Sequence, residues 1–233
     1  MIKNIVFILF LIVLLYGCKY EIKQEKKYYQ NGNLKTVGHY QNGIKEGSFK
    51  KYHYTGELAA EKFYKKGLKD SIYKKFYKNG ELAYKGVFVK GIKEGKFEKY
   101  YDNGQLRYQG YYINDKKENL FIKWHKNGQL SDKKNYKGSH WHGTWERWHE
   151  NGNVYSKANY IDGMRNGLYQ KWYENGNKEY EGNYQNAVKE GPVKKYYNNS
   201  QLNYTGSYSE GRKTGVFLIW DEKGNLSPKK NYY

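Results

Sequence analysis

Basic side chains recur every 24 residues and are the clearest candidates for binding chemistry in this chain. If each period holds two antiparallel strands, successive members lie about 9.6 Å apart, close to one Debye length at physiological salt. Several of them can then bind one extended anion together. The alternative is that they only keep a strand face wet and discourage association between sheet edges. The column, which ends where Ile219 takes the place, consists of Lys27, Lys51, Lys75, Lys99, Lys123, Arg147, Lys171 and Lys195.

A second basic column lies at a loop of each period. Its members are Lys45, Lys69, Lys93, Lys117, Arg165, Lys189 and Lys213, and Trp141 interrupts it. Acidic residues stand directly beside it: Glu46, Asp70, Glu94, Glu118 and Glu190. We expect these acids to neutralise the second column in part, so the first column is the better anion-binding candidate. The predicted anion-binding residues are Lys51, Lys75, Lys99, Lys123, Arg147, Lys171 and Lys195.

Tryptophan and histidine concentrate in one period. Three tryptophans form a candidate aromatic contact site: Trp141, Trp145 and Trp148. The imidazoles of His140 and His142 are spaced so that they can join in binding zinc or copper. However, His149, like His53 and His125, occupies a column that elsewhere holds tyrosine, so we interpret these three as tyrosine substitutes on a strand. The sequence therefore predicts no metal and no cofactor.

Catalysis needs unlike groups in one cluster, whereas a repeat places like groups at equal intervals. No nucleophile and base stand at a catalytic spacing, and Cys18 is the only cysteine. We therefore predict a chain that is not an enzyme and has no small-molecule substrate. Basic residues interleaved with rings also suit single-stranded nucleic acid, but the export signal described next argues against a physiological nucleic-acid partner.

The first residues differ from the rest. A short charged start is followed by an apolar run from Ile5 to Leu15, too short to span a bilayer as a helix. The tetrad Leu15-Tyr16-Gly17-Cys18 resembles the bacterial lipobox, which implies cleavage before a lipidated Cys18. We predict a lipoprotein signal peptide over 1–17 and a linker over 18–27. The alternative is an ordinary signal peptide with a chance cysteine.

Glycine marks the same 24-residue period from Gly32 to Gly224, with Ser200 in one place, and an aromatic follows each rung eight residues later. Net charge is +19 and mean hydropathy is −1.10, values that favour disorder in an unpatterned chain. The 29 tyrosines and the strict period instead predict a repeat array over 28–233.

Each period contains two turn signals, such as Asn31-Gly32 and Asn42-Gly43, and runs between them that suit strands. The fold predicted is all-β: an elongated, single-layer array of antiparallel hairpins with about 16 to 18 short strands. Phe49 and Tyr52, spaced by three, lie on opposite faces unless a bulge intervenes, and both possibilities stay open. A glycine column that includes Gly38 is expected to lie under neighbouring rings.

The pattern Tyr40-x-x-Gly43-x-x-x-Gly47-x-Phe49-x-x-Tyr52, followed by Asn-Gly-x-Leu as at Asn79-Gly80-Glu81-Leu82, resembles the MORN repeat in its bacterial variant form. Asp115, Ser139 and Ala187 replace the first loop glycine, and Ser71 and Asn119 the second. The resemblance implies an array of β-hairpins and, in eukaryotic members, membrane-linked scaffolding or protein contact. Bacterial relatives of this kind are often labelled antitoxins of toxin-antitoxin systems.

These observations predict a non-catalytic, lipid-anchored repeat protein of the bacterial cell envelope, in the outer membrane if the cell has two membranes. Its expected partner is a protein, an anionic polymer or a lipid headgroup. An antitoxin that binds a toxin protein remains one alternative. A module that binds cell-wall glycan, as other tyrosine- and tryptophan-rich hairpin repeats do, remains another.

Overall fold

The computed structural model describes residues 21–228 and 230–232. It contains one antiparallel meander in which most strands pair with the next along the chain. The strands are β1 Ile22–Tyr28, β2 Leu34–Gln41, β3 Ile44–Tyr52, β4 Leu58–Lys65, β5 Leu68–Lys69, β6 Ser71–Phe76, β7 Leu82–Val89, β8 Ile92–Tyr100, β9 Leu106–Ile113, β10 Lys116–Trp124, β11 Leu130–Lys137, β12 His140–Trp148, β13 Val154–Ile161, β14 Met164–Arg165, β15 Gly167–Trp172, β16 Lys178–Gln185, β17 Val188–Tyr196, β18 Leu202–Ser209, β19 Arg212–Ile219 and β20 Lys230–Tyr232.

The all-β hairpin array is confirmed, and the residues described include no helix. At two positions of the meander, the single strand found elsewhere is divided into two short segments. Segments β5 and β6 both pair with β4, and β14 and β15 both pair with β13. The 20 segments therefore fill 18 places. Strand β1 pairs with β2, so residues 22–27 of the predicted 18–27 linker belong to the sheet.

Two kinds of turn join the strands in each period. The turn between β2 and β3 has φ of 50° at Asn42 and 75° at Gly43, as a type I′ hairpin requires. Asp115, Ser139 and Ala187 stand in place of this glycine and keep φ between 63° and 75°. The departures from the repeat pattern therefore preserve the turn.

A bulge decides how the two faces are occupied. In the ladder between β3 and β4 the register shifts between Lys51 and Tyr52, and the extra residue is Ala59 on β4. Alternation along β3 is therefore undisturbed there, and Phe49 and Tyr52 point to opposite faces. We call the face that carries Phe49 the ring face and the other the opposite face.

Aromatic rings on the ring face supply most of the core of this single layer. Phe97 and Phe217 are only 2% and 1% exposed, and Phe97 makes edge-to-face contacts with Tyr84, Phe88 and Tyr112. The ring of Phe97 covers Gly86 so closely that a Cβ there would lie 2.4 Å from it. Phe49, Phe121 and Phe217 cover their glycines in the same way, so the predicted glycine column under rings is confirmed at these positions.

Side-chain hydrogen bonds join successive periods in addition to the strand ladders. Each donor bonds the backbone carbonyl 23 residues later, as Tyr77 Oη does with Tyr100 O at 2.7 Å. Asparagines at the other turn repeat the arrangement, as Asn79 Nδ2 does with Asp102 O at 2.7 Å. Because each bond links a repeat only to its neighbour, the array is held together by nearest-neighbour contacts. The ring donors are Tyr29, His53, Tyr77, Tyr101, His125, His149, Tyr173 and Tyr197.

Candidate binding face

Both basic columns lie on the ring face, because each is separated from the Phe49 column by an even number of strand residues. We call the first column the outer row and the second the inner row. In the outer row Lys51, Lys75, Lys99 and Lys123 are exposed, whereas Arg147, Lys171 and Lys195 are half-buried. The sequence-predicted anion-binding residues thus share one face of the sheet.

Inner-row cations lie over aromatic rings. Lys45 Nζ is 4.7 Å from the ring centroid of Phe49 and 4.9 Å from that of Tyr64. Arg165 Cζ is 4.1 Å from the centroid of Tyr169 and 4.7 Å from that of Tyr184. These distances are those of cation–π contacts, which fix the cation without removing its charge. Equivalent contacts are made by Lys69, Lys93, Lys117, Lys189 and Lys213.

The acids beside the inner row do not neutralise it, contrary to the expectation from sequence. Adjacent strand residues point to opposite faces, so Glu46 lies away from Lys45. Its carboxylate accepts the backbone N–H of Lys66 at 2.7 Å, and Glu94 and Glu118 make the same bond to the next hairpin. These acids therefore stabilise the turns of the array.

Charge differs sharply between the two faces. The opposite face holds one-to-one ion pairs, such as Lys96 with Glu98 at 2.6 Å and Lys157 with Glu146 at 3.3 Å, and Glu61 is shared between Lys50 and Lys74. Among the described residues, ion pairs with ring-face cations involve only Glu21, Asp132 and Glu179. Most inner- and outer-row cations thus have no carboxylate partner in the part of the chain that the structure covers.

Like-charge crowding on the ring face is visible at Lys62, which stands in the glycine column. Burial lowers the pKa of this amine, and the nearby Lys69 and Lys45 lower it further. By contrast, the Glu179 carboxylate, 2.7 Å from Lys171 Nζ, raises the pKa of Lys171 even though burial opposes the shift. The face is therefore positive along most of its length and locally compensated near Glu179.

Asp132 is the one buried acid on the ring face, 8% exposed. Its carboxylate accepts bonds from Trp145 Nε1 at 3.2 Å and Ser131 Oγ at 3.0 Å, and lies 3.5 Å from Lys134 Nζ and 3.6 Å from Arg147 Nε. Burial raises its pKa, but these partners outweigh burial and hold the pKa below its ordinary value. Asp132 is consequently an ionised, fully engaged group.

The three predicted contact tryptophans do not form one cluster. Trp141 and Trp145 lie together on the ring face with centroids 5.0 Å apart, and Lys134 Nζ is 4.4 Å from the Trp145 centroid. Trp148 points to the opposite face, where Lys133 lies over it. The spacing of three between Trp145 and Trp148 separates them, as it does Phe49 and Tyr52.

Histidines at 53, 125 and 149 take the tyrosine place in the hydrogen-bond ladder: His149 Nε2 lies 3.1 Å from Trp172 O. Among residues 21–228 and 230–232, no three His, Cys, Asp or Glu side chains gather as a metal site would require. Within the same ranges, no helix is long and apolar enough to cross a membrane. Cys18 and the predicted signal peptide lie outside the described residues.

A family model agrees with this architecture. The family model described as MORN repeat variant matches residues 23–42, 45–66, 69–90, 93–114, 141–162, 165–186 and 189–210, more than half of the chain. No curated protein matches the sequence. Among 56 chains of solved structures that match, one belongs to the crystal structure of TcdB2-TccC3-Cdc42, with 11% identity and a TM-score of 0.21. The match covers 84% of this chain and only 14% of that one. On the seven matched repeats and the hairpin geometry, this chain belongs to the MORN repeat-variant family.

Proposed function

We propose that this chain is a lipid-anchored scaffold of the bacterial cell envelope that binds an anionic surface through its ring face. Proteins built from MORN repeats are generally binding modules without catalytic activity, which is consistent with this role. The observation that carries the proposal is the one-sided charge: cations in two rows on the ring face, mostly without a carboxylate partner, and ion-paired lysines on the opposite face.

The spacing of the cations supports an extended ligand. Outer-row members recur at every second strand, about 9.6 Å apart, so a surface with many anionic groups can meet several of them at once. Each contact adds to the same binding event, and release of one cation leaves the others engaged. A single small anion gains no such advantage from the rows.

The lipid anchor is part of the proposal and rests on the tetrad that ends at Cys18. Lipid at Cys18 would place the start of β1 at a membrane and restrict the array to its vicinity. We propose localisation in the cell envelope, in the outer membrane where two membranes exist. No feature of the described residues favours the antitoxin or the cell-wall glycan alternative over an anionic surface.

Four lysine pairs along the chain offer a matched test, because adjacent lysines point to opposite faces. The ring-face variant replaces Lys27, Lys51, Lys75 and Lys195 with glutamine, and the opposite-face variant replaces Lys26, Lys50, Lys74 and Lys194. Both variants lose the same net charge. Binding is measured by co-sedimentation with phosphatidylglycerol vesicles and with neutral phosphatidylcholine vesicles.

We expect the parent to bind only the anionic vesicles, and less tightly as salt rises. At about 1 kcal/mol per lysine near an anionic surface, the ring-face variant loses about 4 kcal/mol, on the order of a thousandfold in affinity. The opposite-face charges stand about one Debye length further away, so their loss weakens binding by less than about tenfold. Equal losses in both variants, or no binding by the parent, would refute the proposal.

A further inference from the structure

A groove interrupts the ring face between β8 and β11. It encloses about 490 Å³ and is open to solvent. Four cations line it: Lys99, Arg107, Lys117 and Lys123. In the described part of the chain, none of these four is within ion-pair distance of a carboxylate, since the ion pairs found there involve other cations.

The groove lies beside a place where Asp132 stands in a column that holds tyrosine in several repeats. The tyrosines are Tyr84, Tyr108, Tyr180 and Tyr204, and the other places hold Thr36, Ala60, Asp132 and Ser156. Lys123 pairs with Tyr108 on one side and with Asp132 on the other, so the space beside it lacks the second tyrosine ring. Asp132 itself is turned to Trp145, Ser131 and Lys134 and stays engaged with them.

A comparison between repeats shows which group the groove lacks. Lys171 pairs with Tyr180, and the residue before that tyrosine, Glu179, forms an ion pair with Lys171 at 2.7 Å. Lys99 pairs with Tyr108 in the same register, but the residue before it is Arg107. Two cations thus occupy the places that a cation and a carboxylate occupy elsewhere in the array.

The neighbouring groups suit an oxyanion in the missing place. Arg107 Cζ lies 5.3 Å from the ring centroid of Tyr101, which holds the guanidinium fork in a defined orientation. The hydroxyls of Tyr108 and Tyr112 are 3.3 Å apart. Burial raises the pKa of Tyr108, as does its bond to Tyr112, so the Tyr108 hydroxyl stays protonated and can donate to an anion.

We propose that this groove is a discrete binding site for a phosphate group with two or more negative charges, a phosphomonoester or a pyrophosphate, clamped by Lys99 and Arg107. Arginine forks bind phosphate oxygens bidentately, and Lys117 and Lys123 add charge that a singly charged anion does not match. The inference rests on the proposed function, because it names the anionic group that the ring face selects.

The first test titrates the mature chain with inorganic pyrophosphate by isothermal calorimetry. We expect one site per chain. The double variant Lys99→Gln/Arg107→Gln should bind at least tenfold more weakly. The matched control, Lys27→Gln/Lys35→Gln, replaces the members of the same two columns in a repeat outside the groove. Its affinity for pyrophosphate should stay within about twofold of that of the parent, since distant exposed charges contribute little. Absence of saturable binding, several equal sites, or equal losses in both double variants would overturn the site.

A second variant keeps the test independent of folding. Arg107→Glu recreates the ion pair of Lys171 and Glu179 inside the groove, so it should abolish pyrophosphate binding while the melting temperature stays the same or rises. Pyrophosphate should raise the melting temperature of the parent and leave that of Arg107→Glu unchanged. A variant that still binds pyrophosphate as the parent does would contradict the assigned clamp.

Further experiments distinguish a soluble phosphate ligand from a lipid one, and distinguish failure of the groove site from failure of the proposed function. Glucose 1-phosphate tests a soluble phosphomonoester, and vesicles with phosphatidic acid test a lipid one. Weaker binding of either ligand by Arg107→Glu than by the parent supports the site. If Arg107→Glu binds both ligands as the parent does, the site is overturned. The ring-face variant used above leaves the groove intact. If pyrophosphate does not bind but phosphatidylglycerol binding still depends on the ring face, the groove site fails alone. If pyrophosphate binds one site but the ring-face and opposite-face variants lose equal affinity for vesicles, the proposed function fails.

Discussion

Replacing Asp132 with asparagine should destabilise the array more than any exposed acid does. The substitution keeps the shape of the side chain and removes the charge to which Trp145, Ser131, Lys134 and Arg147 are directed. Asparagine also presents an amide N–H₂ to groups that are themselves donors. Lys134, 16% exposed at its side chain, then lacks its only nearby carboxylate among the described residues.

The size of the effect follows from the burial of the site. Hydrogen bonds to a charged group contribute about 1.5–3 kcal/mol, and full removal of a partner from a deeply buried pair costs about 3–5 kcal/mol. Arg147 remains 41% exposed at its side chain, so we expect a free-energy cost at the lower end of these ranges. We expect a loss of about 2 kcal/mol, or a fall of about 4–8 °C in melting temperature for a chain of this length.

Thermal melts followed by circular dichroism provide the assay, and Asp102→Asn is the control. Asp102 also faces a lysine, Lys126 at 2.8 Å, but both side chains are 62% exposed. Exposed pairs contribute little, so this substitution should leave the melting temperature unchanged within error. Equal effects of the two substitutions would refute the assignment of Asp132 as a buried anchor.

The same pair of variants gives a pH dependence with a definite sign. The pKa of Asp132 is lowered in the folded chain, so its stabilisation is complete above its ordinary pKa of 3.8 and is lost as pH falls through the lower folded value. The difference in folding stability between the parent and Asp132→Asn should therefore be constant near neutral pH and shrink only below about pH 4. A difference that disappeared between pH 5 and 7 would point to another group.

Two further predictions concern the core and the anchor. Gly110→Ala places a Cβ 2.3 Å from the ring of Phe121, which is 3% exposed, and should cost about 1–3 kcal/mol in urea unfolding, whereas Gly182→Ala meets only the hydroxyl end of Tyr180 and should cost less. Cys18→Ala should move the protein from the membrane fraction to the soluble fraction or stall its processing, and equal incorporation of labelled fatty acid by both proteins would exclude a lipid at Cys18.

Much of the fold was predictable from the period alone. The ladder of glycines and the Asn-Gly turns imply two strands per 24 residues, and the structure has 18 strand places with type I′ turns at positions such as Asn42-Gly43. The division of strands at Asp70 and Asn166 was not predictable, because the equivalent positions Glu46-Gly47 lie within one continuous strand. The side of the bulge was also open, since only the ladder shows that Ala59 is the extra residue.

The site was predictable only in part. The outer row could be read from the lysine spacing, and strand alternation, had it been applied to Lys45 and Glu46, also separates the inner row from its neighbouring acids. The same rule separates Trp145 from Trp148. The groove could not be predicted from any single column, because it depends on Asp132 in one column and on Arg107 in the next, where a later repeat has Glu179.

A face with this many like charges is tolerated for reasons that also suit it to binding. Inner-row cations lie over ring faces, whose negative quadrupoles compensate them in part. Outer-row cations are about 9.6 Å apart and largely screened from one another by salt. An extended anionic surface displaces that salt and meets several of them together. Since the rings that form the core also hold the inner row, changes to the rings damage fold and binding together. Changes to the outer-row lysines that have no carboxylate partner, such as Lys51 and Lys75, affect binding alone.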